Sequence, residues 1–247
     1  MARRGRAARL QGRVALRPKS SDSKPSDPLD DDDLTEQGLA APVAKPGRIL
    51  LIACGALARE ILDINASNQL SHMDLTCLPA KLHLYPDQIP DAVTAAVIKH
   101  RASYDQIFVV YADCGTGGAL ERACAKLGVE MVAGPHCYSF FEGNQAFEEK
   151  SSGGEITAFY LTDFLVRQFD AFIWRPMGLD KNPELRDMIF GNYTTLVYQS
   201  QINDPAMVER AKNCAKRLGL AFEHRHTGYG DLAPTLRSWA GSAPSSG

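Results

Sequence analysis

The chain has 247 residues, of which 45% are apolar, enough for a packed core in one large domain or two small ones. A formal net charge of −2 gives no overall attraction to nucleic acid or to an anionic membrane. The sequence has no apolar run of roughly 18 residues and no apolar signal segment near its start. We therefore expect a cytoplasmic protein that binds neither nucleic acid nor a membrane. Its six cysteines are then expected to be reduced thiols.

Residues 1–47 differ in composition from the rest of the chain. Six arginines between Arg3 and Arg17 are followed by Ser, Pro and Lys and then by the acidic run from Asp30 to Asp33. With little apolar surface to bury, this segment is predicted to be a disordered tail, as are residues 237–247. An organelle transit peptide or a start codon placed too early would look similar, although the acidic run argues against the transit peptide. A single α/β domain is expected over residues 48–236.

Strands and helices are predicted to alternate after the tail. Each unit pairs a short apolar run with a stretch of helical periodicity, in the order strand 48–54, helix 56–65, strand 73–79, a helix opened by Pro90, strand 106–112, helix 118–127 and strand 129–133. Short connections between such units require parallel pairing and right-handed crossovers. The sequence therefore predicts a doubly wound, Rossmann-like α/β fold: a mostly parallel sheet with helices on both faces.

The second half of the chain is predicted to be richer in helix. Residues 159–173 form one strongly apolar stretch, which we assign to a helix, and Pro183 and Pro205 open two more. Two strand-like runs, 194–198 and 220–224, are expected to extend the same sheet. The apolar stretch suits either a buried core or a subunit interface, and the second possibility implies a homo-oligomer.

Sulfur and imidazole side chains are concentrated in the loops that follow the predicted strands. In an open parallel sheet, ligands bind beyond the carboxyl ends of the strands, where these loops emerge. We therefore predict that thiols and an imidazole converge as ligands of zinc or iron, namely Cys54, His83, Cys114 and Cys137. The chain lacks the Cys-x-x-Cys spacing of a zinc finger, so the site has to be assembled from distant loops.

Free cysteine also fills hydrophobic cores, and this alternative applies to Cys54, Cys114 and Cys137. It is the expected role of Cys77, within a strand, and of Cys124 and Cys214, within helices. The pairing of His136 with Cys137 in a Gly-Pro turn favours a functional role for both.

Catalytic and substrate-binding roles are assigned around the same edge of the sheet. Cys114, His136 and Glu142 are the candidate catalytic residues. The turn formed by Gly115, Thr116, Gly117 and Gly118 presents backbone amides at a helix start, which suits an anionic substrate group, although a purely structural turn also explains the glycines. The turn lacks the Lys-Ser/Thr ending of a nucleotide-binding P-loop, and the first loop lacks Gly-x-Gly-x-x-Gly, so ATP and dinucleotides are disfavoured.

Four motifs together resemble a family of bacterial and archaeal proteins catalogued as a domain of unknown function. They are Ala53–Leu57 (ACGAL), Asp113–Gly118 (DCGTGG), Gly134–Tyr138 (GPHCY) and Gly191–Tyr193, and the likeness covers about Arg48 to Leu232. The resemblance implies a setting near corrinoid-dependent methyltransferases, whose components become candidate partners, and a link to one-carbon metabolism. The chain has no Asp-x-His-x-x-Gly signature, so it is not expected to hold cobalamin through that motif.

Three functions follow as hypotheses. The leading one is an enzyme with a zinc or iron thiolate site that acts on a small anionic or thiol/one-carbon substrate. The second is a metal-free enzyme in which a cysteine is the nucleophile, activated by a helix N-terminus and His136. The third is a non-catalytic partner or chaperone of a methyltransferase system.

Overall fold

A computed structural model describes residues 29–45, 47–152 and 157–241 as an α/β structure with parallel strands. The strands are β1 Ile49–Cys54, β2 Met73–Leu78, β3 Gln106–Val110, β4 Glu130–Met131, β5 Ala158–Leu161, β6 Thr195–Ser200 and β7 Ala221–His226. The α-helices are α1 Asp31–Glu36, α2 Ala58–Ser67, α3 Ile89–His100, α4 Ala119–Leu127, α5 Cys137–Glu142, α6 Asn144–Ser152, α7 Asp163–Arg167, α8 Leu185–Phe190, α9 Pro205–Leu218 and α10 Leu232–Gly241.

The first sheet has the strand order β2-β1-β3-β4, and its described pairs are all parallel. Every residue of β1 is buried, because this central strand is covered on both faces and its sequence is a continuous apolar run. The predicted strand-helix alternation is confirmed in this half. The predicted fourth strand is reduced to the two residues of β4.

The second half forms a sheet of its own, with the order β5-β6-β7 and parallel pairing. The predicted α/β class is therefore confirmed, but β6 and β7 do not extend the first sheet as expected. The two sheets share one hydrophobic core.

The prediction of one helix over residues 159–173 is wrong. Its first part is β5, which pairs with β6, and Thr162 then caps the short helix α7 before a π-helical turn over Asp170–Trp174. An apolar stretch without clear periodicity fits a buried strand as well as a buried helix. Its side chains Phe164, Phe169 and Phe172 are buried in the core, which removes the interface explanation for them.

The expectation of disorder does not hold for the described part of the N-terminal segment. The acidic run forms α1, whose first amides are capped by the Asp30 carboxylate, and Leu34 is completely buried. Asp31 forms ion pairs with Arg59 of α2 and Arg167 of α7. Residues 1–28 lie outside the described residues, so the prediction for them stays a prediction.

The predicted C-terminal tail is also helical where it is described. Helix α10 continues to Gly241, and Trp239 stacks on Phe108 with ring centroids 4.5 Å apart. Residues 242–247 lie outside the described residues. Among the helices that the structure describes, none is long and apolar enough to cross a membrane.

Candidate functional site at the carboxyl ends of the strands

A cavity of about 60 Å³ lies beyond the carboxyl ends of β1, β3 and β5. The first half of the chain lines it with thiols and imidazoles, from Cys54, His83, Cys114, His136 and Cys137. The structure thus brings the four predicted metal ligands to the wall of one small space, together with His136. Such a volume admits a few water-sized groups, not a nucleotide.

The second half of the chain supplies an apolar wall of the same cavity. Phe164, Leu165 and Phe172 face it, and Thr162, at the end of β5, is its polar neighbour. Aromatic and aliphatic walls exclude water and so strengthen every electrostatic interaction inside. The cavity is therefore shared between the two sheets.

Two loops of the first half are joined by backbone hydrogen bonds, which sets the position of the central thiol pair. The amide of Asp113 donates to the carbonyl of Gly134 at 3.0 Å, and the amide of Cys114 donates to the carbonyl of Pro135 at 3.1 Å. Cys114 has a φ of 49°, a left-handed conformation that is uncommon outside glycine. As a result, the sulfurs of Cys114 and Cys137 are 3.5 Å apart.

The two sulfurs of this pair differ in their tendency to ionise. The pKa of the Cys114 thiol is lowered to about 5 by the hydrogen bond from Cys137, against the effect of burial, and by a hydrogen bond and positive charge from His83 and the charge of His136. The pKa of Cys137 is raised well above its usual range by the same hydrogen bond and by burial. Cys114 is thus the thiolate of the pair and Cys137 the thiol that donates to it.

The third thiol, Cys54, lies in a less favourable place for a charge. Burial raises its pKa to about 12. The pKa of the neighbouring Tyr111 is raised by burial and then by the proximity of the cysteine sulfurs, and its buried hydroxyl has no hydrogen-bond partner among the described residues. Sequence reasoning missed Tyr111 because it lies at the end of an apolar strand run, where an aromatic residue signals only packing.

The imidazoles approach the pair from two sides. His83, in a 3-10 turn over Ala80–Leu84, lines the cavity beside Cys114, and its imidazole helps to lower the pKa of the Cys114 thiol. His136 stacks on Tyr138 with ring centroids 4.8 Å apart and an interplanar angle of 16°. Burial lowers the pKa of His136, although the Cys114 charge opposes that shift.

Among the described residues, no group of three or more His, Cys, Asp or Glu side chains is arranged to hold a metal ion as it stands. The Cys114–Cys137 separation of 3.5 Å is nevertheless close to the spacing of two sulfurs bound to one tetrahedral zinc, about 3.5–4 Å for Zn–S bonds of about 2.3 Å. The other candidate ligands would have to close in by side-chain rotation.

Two amides of the glycine turn are bound by a side chain of the same loop. The Asp113 carboxylate accepts from the amides of Gly117 and Gly118 at 3.1 and 2.7 Å and from the Thr116 hydroxyl at 2.6 Å. Burial opposes ionisation of Asp113, but these hydrogen bonds outweigh it and lower the pKa of its carboxyl. Asp113 thus occupies part of the turn, and the substrate-binding role expected of Gly115, Thr116, Gly117 and Gly118 stays a prediction.

Glu142, the third expected catalytic residue, lies away from the cavity. Its buried carboxylate forms ion pairs with Lys150 and Arg225 and accepts a hydrogen bond from Gln199 at 3.1 Å. A carboxylate held by two cations, outside the lining of the cavity, is a structural anion. Cys77, Cys124 and Cys214 are buried among apolar neighbours, as predicted.

The fold and the cavity define an α/β protein with a thiol–imidazole site shared by two parallel sheets. Residues 77–236 match a family described as a protein of unknown function, DUF1638, and the chain belongs to it. The predicted resemblance to an uncharacterised family is thereby confirmed. The match includes Cys114 and Cys137 and begins after Cys54. No curated protein and no solved structure matches the chain.

Proposed function

We propose that this protein is an enzyme whose active site is a thiolate-bound zinc or iron held by Cys114, Cys137, Cys54 and His83. The observation that carries the proposal is the convergence of these side chains on one cavity, with two of the sulfurs 3.5 Å apart. Thiolate and imidazole are the ligands that both metals accept in proteins. A reducing cytoplasm, our proposed location, keeps such thiols available.

The substrate is proposed to be a small uncharged thiol or one-carbon compound. Among the described residues that line the cavity there is no lysine or arginine, and the nearby glycine turn is occupied by Asp113. Three thiolate ligands would already neutralise a divalent metal, so an anionic substrate would enter without a net counter-charge, at a large desolvation cost. The apolar wall of Phe164, Leu165 and Phe172 suits an alkyl group instead.

The chain's own groups have distinct parts in such a reaction. Three of the four proposed ligands would leave a bound metal one open position, at which it would lower the pKa of a substrate thiol. His136 lines the cavity, and because burial lowers the pKa of its imidazole it is suited to accept and pass on the proton released by the substrate. Phe172 and its apolar neighbours exclude water from the reacting sulfur.

Metal analysis of the wild-type protein, purified without chelator, tests the site. We expect about one equivalent of zinc or iron, and loss of that metal in Cys114→Ser. Cys124→Ser is the matched control, because Cys124 is a buried helical thiol that does not line the cavity. Wild-type protein without stoichiometric metal, under reducing and metal-replete conditions, would sink the proposal.

A second candidate is a metal-free enzyme with Cys114 as nucleophile. It is favoured by the 3.5 Å contact of Cys114 with the Cys137 thiol and by the imidazole of His83 on the same cavity, both of which stabilise a thiolate without a metal. The discriminating measurement is the rate of alkylation against pH, in wild type and in His83→Gln. A rate that rises only near the ordinary thiol pKa of about 8.5 leaves no activated nucleophile.

The partner proposal is that the protein works beside corrinoid-dependent methyltransferases, as the family resemblance implies. A small thiol as methyl acceptor is the chemistry that would connect the two. Affinity purification from the native cell, followed by mass spectrometry, tests it. Absence of every methyltransferase component from the purified material counts against this partner.

A further inference from the structure

We propose that Cys114 and Cys137 are a reversible disulfide pair that small hydroperoxides oxidise. Both are free thiols in the structure, and their sulfurs are 3.5 Å apart. A disulfide bond is about 2.05 Å long, so each sulfur has to move by less than about 1 Å. Rotation of the two side chains supplies such a movement.

The backbone already holds the two cysteines in register for this reaction. The hydrogen bonds from the amides of Asp113 and Cys114 to the carbonyls of Gly134 and Pro135 tie the two loops together directly before the thiols meet. A fixed separation means that little conformational entropy is lost when the bond closes. None of the other described thiols has a second sulfur within hydrogen-bonding distance.

The size of the cavity selects the oxidant. Cys114 is 6% exposed and Cys137 is partly buried, and the space beside them is about 60 Å³. Hydrogen peroxide is about as large as two water molecules and fits this space. A tripeptide disulfide such as oxidised glutathione does not.

The oxidation proceeds in two balanced steps. Cys114, whose sulfur lies 3.5 Å from that of Cys137, gives up its proton and attacks one peroxide oxygen; an S–O bond forms, the O–O bond breaks, and the released hydroxide takes up that proton to become water. The Cys137 thiol then attacks the Cys114 sulfur, the S–S bond forms, and the S–O bond breaks with release of a second water. Two thiols lose two electrons in total, and the peroxide gains them.

This reaction goes beyond the proposed function. The disulfide forms on the metal-free chain and needs no metal, so it stands or falls on its own. Only its consequence rests on the proposed function: oxidation would remove two of the four proposed metal ligands and switch the site off.

The experiment is peptide mapping of the full-length, metal-free protein after hydrogen peroxide treatment. Trypsin places Cys114 in peptide 102–122 and Cys137 in peptide 127–150, each with no other cysteine. We expect a linked 102–122/127–150 species that dithiothreitol converts back to two free peptides. Oxidised glutathione at the same concentration should give much less of it, because of the cavity size.

Cys124→Ala and Cys214→Ala are the controls, and the linked species should form in both. Recovery of both target cysteines as free thiols after peroxide treatment, or linkage of either one mainly to another cysteine, would overturn the proposal. Metal analysis of untreated protein is a separate measurement. A chain that never binds metal but forms the linked species defeats the proposed function and leaves the disulfide pair intact.

Discussion

The loops at the carboxyl ends of the two sheets carry different kinds of polar side chain, although both sets of loops lie where ligands bind in parallel α/β folds. After β1 and β3 the side chains are Cys54 and Cys114, whose neighbours are other sulfurs and imidazoles. After β5 comes Asp163, whose carboxylate is fully hydrogen-bonded. A loop at the carboxyl edge of a sheet thus indicates where a site can lie. Whether a polar side chain there is free to react depends on whether hydrogen bonds within the protein already satisfy it.

Asp163 shows this saturation in detail. It is 1% exposed, it accepts from the Tyr198 hydroxyl at 2.6 Å, and the amides of Gln201 and Ile202 donate to it at 3.2 and 3.1 Å. Its own amide donates to the Gln201 side chain at 2.8 Å. A carboxylate with these bonds ties β5 to β6 and is a structural group.

The comparison is tested most strongly by Asp163→Ala. The change leaves the Tyr198 hydroxyl, the buried Gln201 amide and the partly buried Ile202 amide without their acceptor, so we expect a loss of about 4 kcal/mol in the free energy of unfolding. Urea denaturation followed by circular dichroism measures it.

Asp204→Ala is the control for that change, since Asp204 accepts only one amide hydrogen bond, at the start of α9. Its cost should be about 1 kcal/mol. Equal losses for the two variants would show that the Asp163 network contributes no more than a helix cap.

The second test concerns α1, which contacts both halves through Asp31. Leu34→Ala should destabilise the protein by roughly 3 kcal/mol, because Leu34 is completely buried and the substitution leaves a cavity. Val43→Ala, at a position 90% exposed, should cost almost nothing. Thermal unfolding of both variants distinguishes them.

The same reasoning makes residues 29–45, which were expected to belong to a disordered tail, part of the folded domain. A chain that begins at Gly47 loses α1 and the bridge between Leu39 and Cys77, and it should melt several degrees below a chain that begins at Leu29. Equal melting temperatures would mean that α1 contributes nothing to stability.

The third test uses Glu60, a buried carboxyl on α2 whose Oε2 has no hydrogen-bond partner among the described residues. Burial raises the pKa of Glu60 to about 7, Asp163 raises it further, and Arg167 and Arg59 oppose the shift. Because the folded pKa lies above the unfolded one, the stabilising contribution is complete below about pH 4.5 and is lost as the pH rises through about 7.

Glu60→Gln should therefore be more stable than wild type at about pH 8, by roughly 2 to 3 kcal/mol, and should flatten the decline of stability between about pH 5 and 8. Urea midpoints across this pH range measure the effect. A wild-type profile already as flat as that of the variant would mean that Glu60 stays charged and solvated in the folded protein.

The first half of the fold was predictable because local signals and tertiary structure agree there. The β1 and β3 runs are apolar throughout, and Gly128 ends α4 in a left-handed conformation as its position suggests. The convergence of Cys54, Cys114 and Cys137 follows from the topology alone. Their separations do not, because they depend on how the loops are tied together.

The misread segments are those in which tertiary contacts override the local signal. Residues 158–161 become a strand because β6 offers a partner, and α1 forms because Arg59 and Arg167 neutralise Asp31. No composition-based rule contains those partners. The local signal of the glycine turn also omits a partner, since the amides of Gly117 and Gly118 donate to a side chain of the same loop, Asp113.

The last and smallest expected effect separates the glycine turn from the thiol site. Gly117 has a φ of +60°, its added Cβ would meet nothing within 4 Å, and its amide donates to Asp113. Gly117→Ala should cost about 1 kcal/mol through the left-handed backbone alone and leave metal content and Cys114 alkylation unchanged. Gly128→Ala is the matched control, with a φ of +65° and equally open space at the far end of α4. Altered thiol chemistry in Gly117→Ala but not in Gly128→Ala would mean that the turn belongs to the site and that Asp113 only holds the place of a ligand.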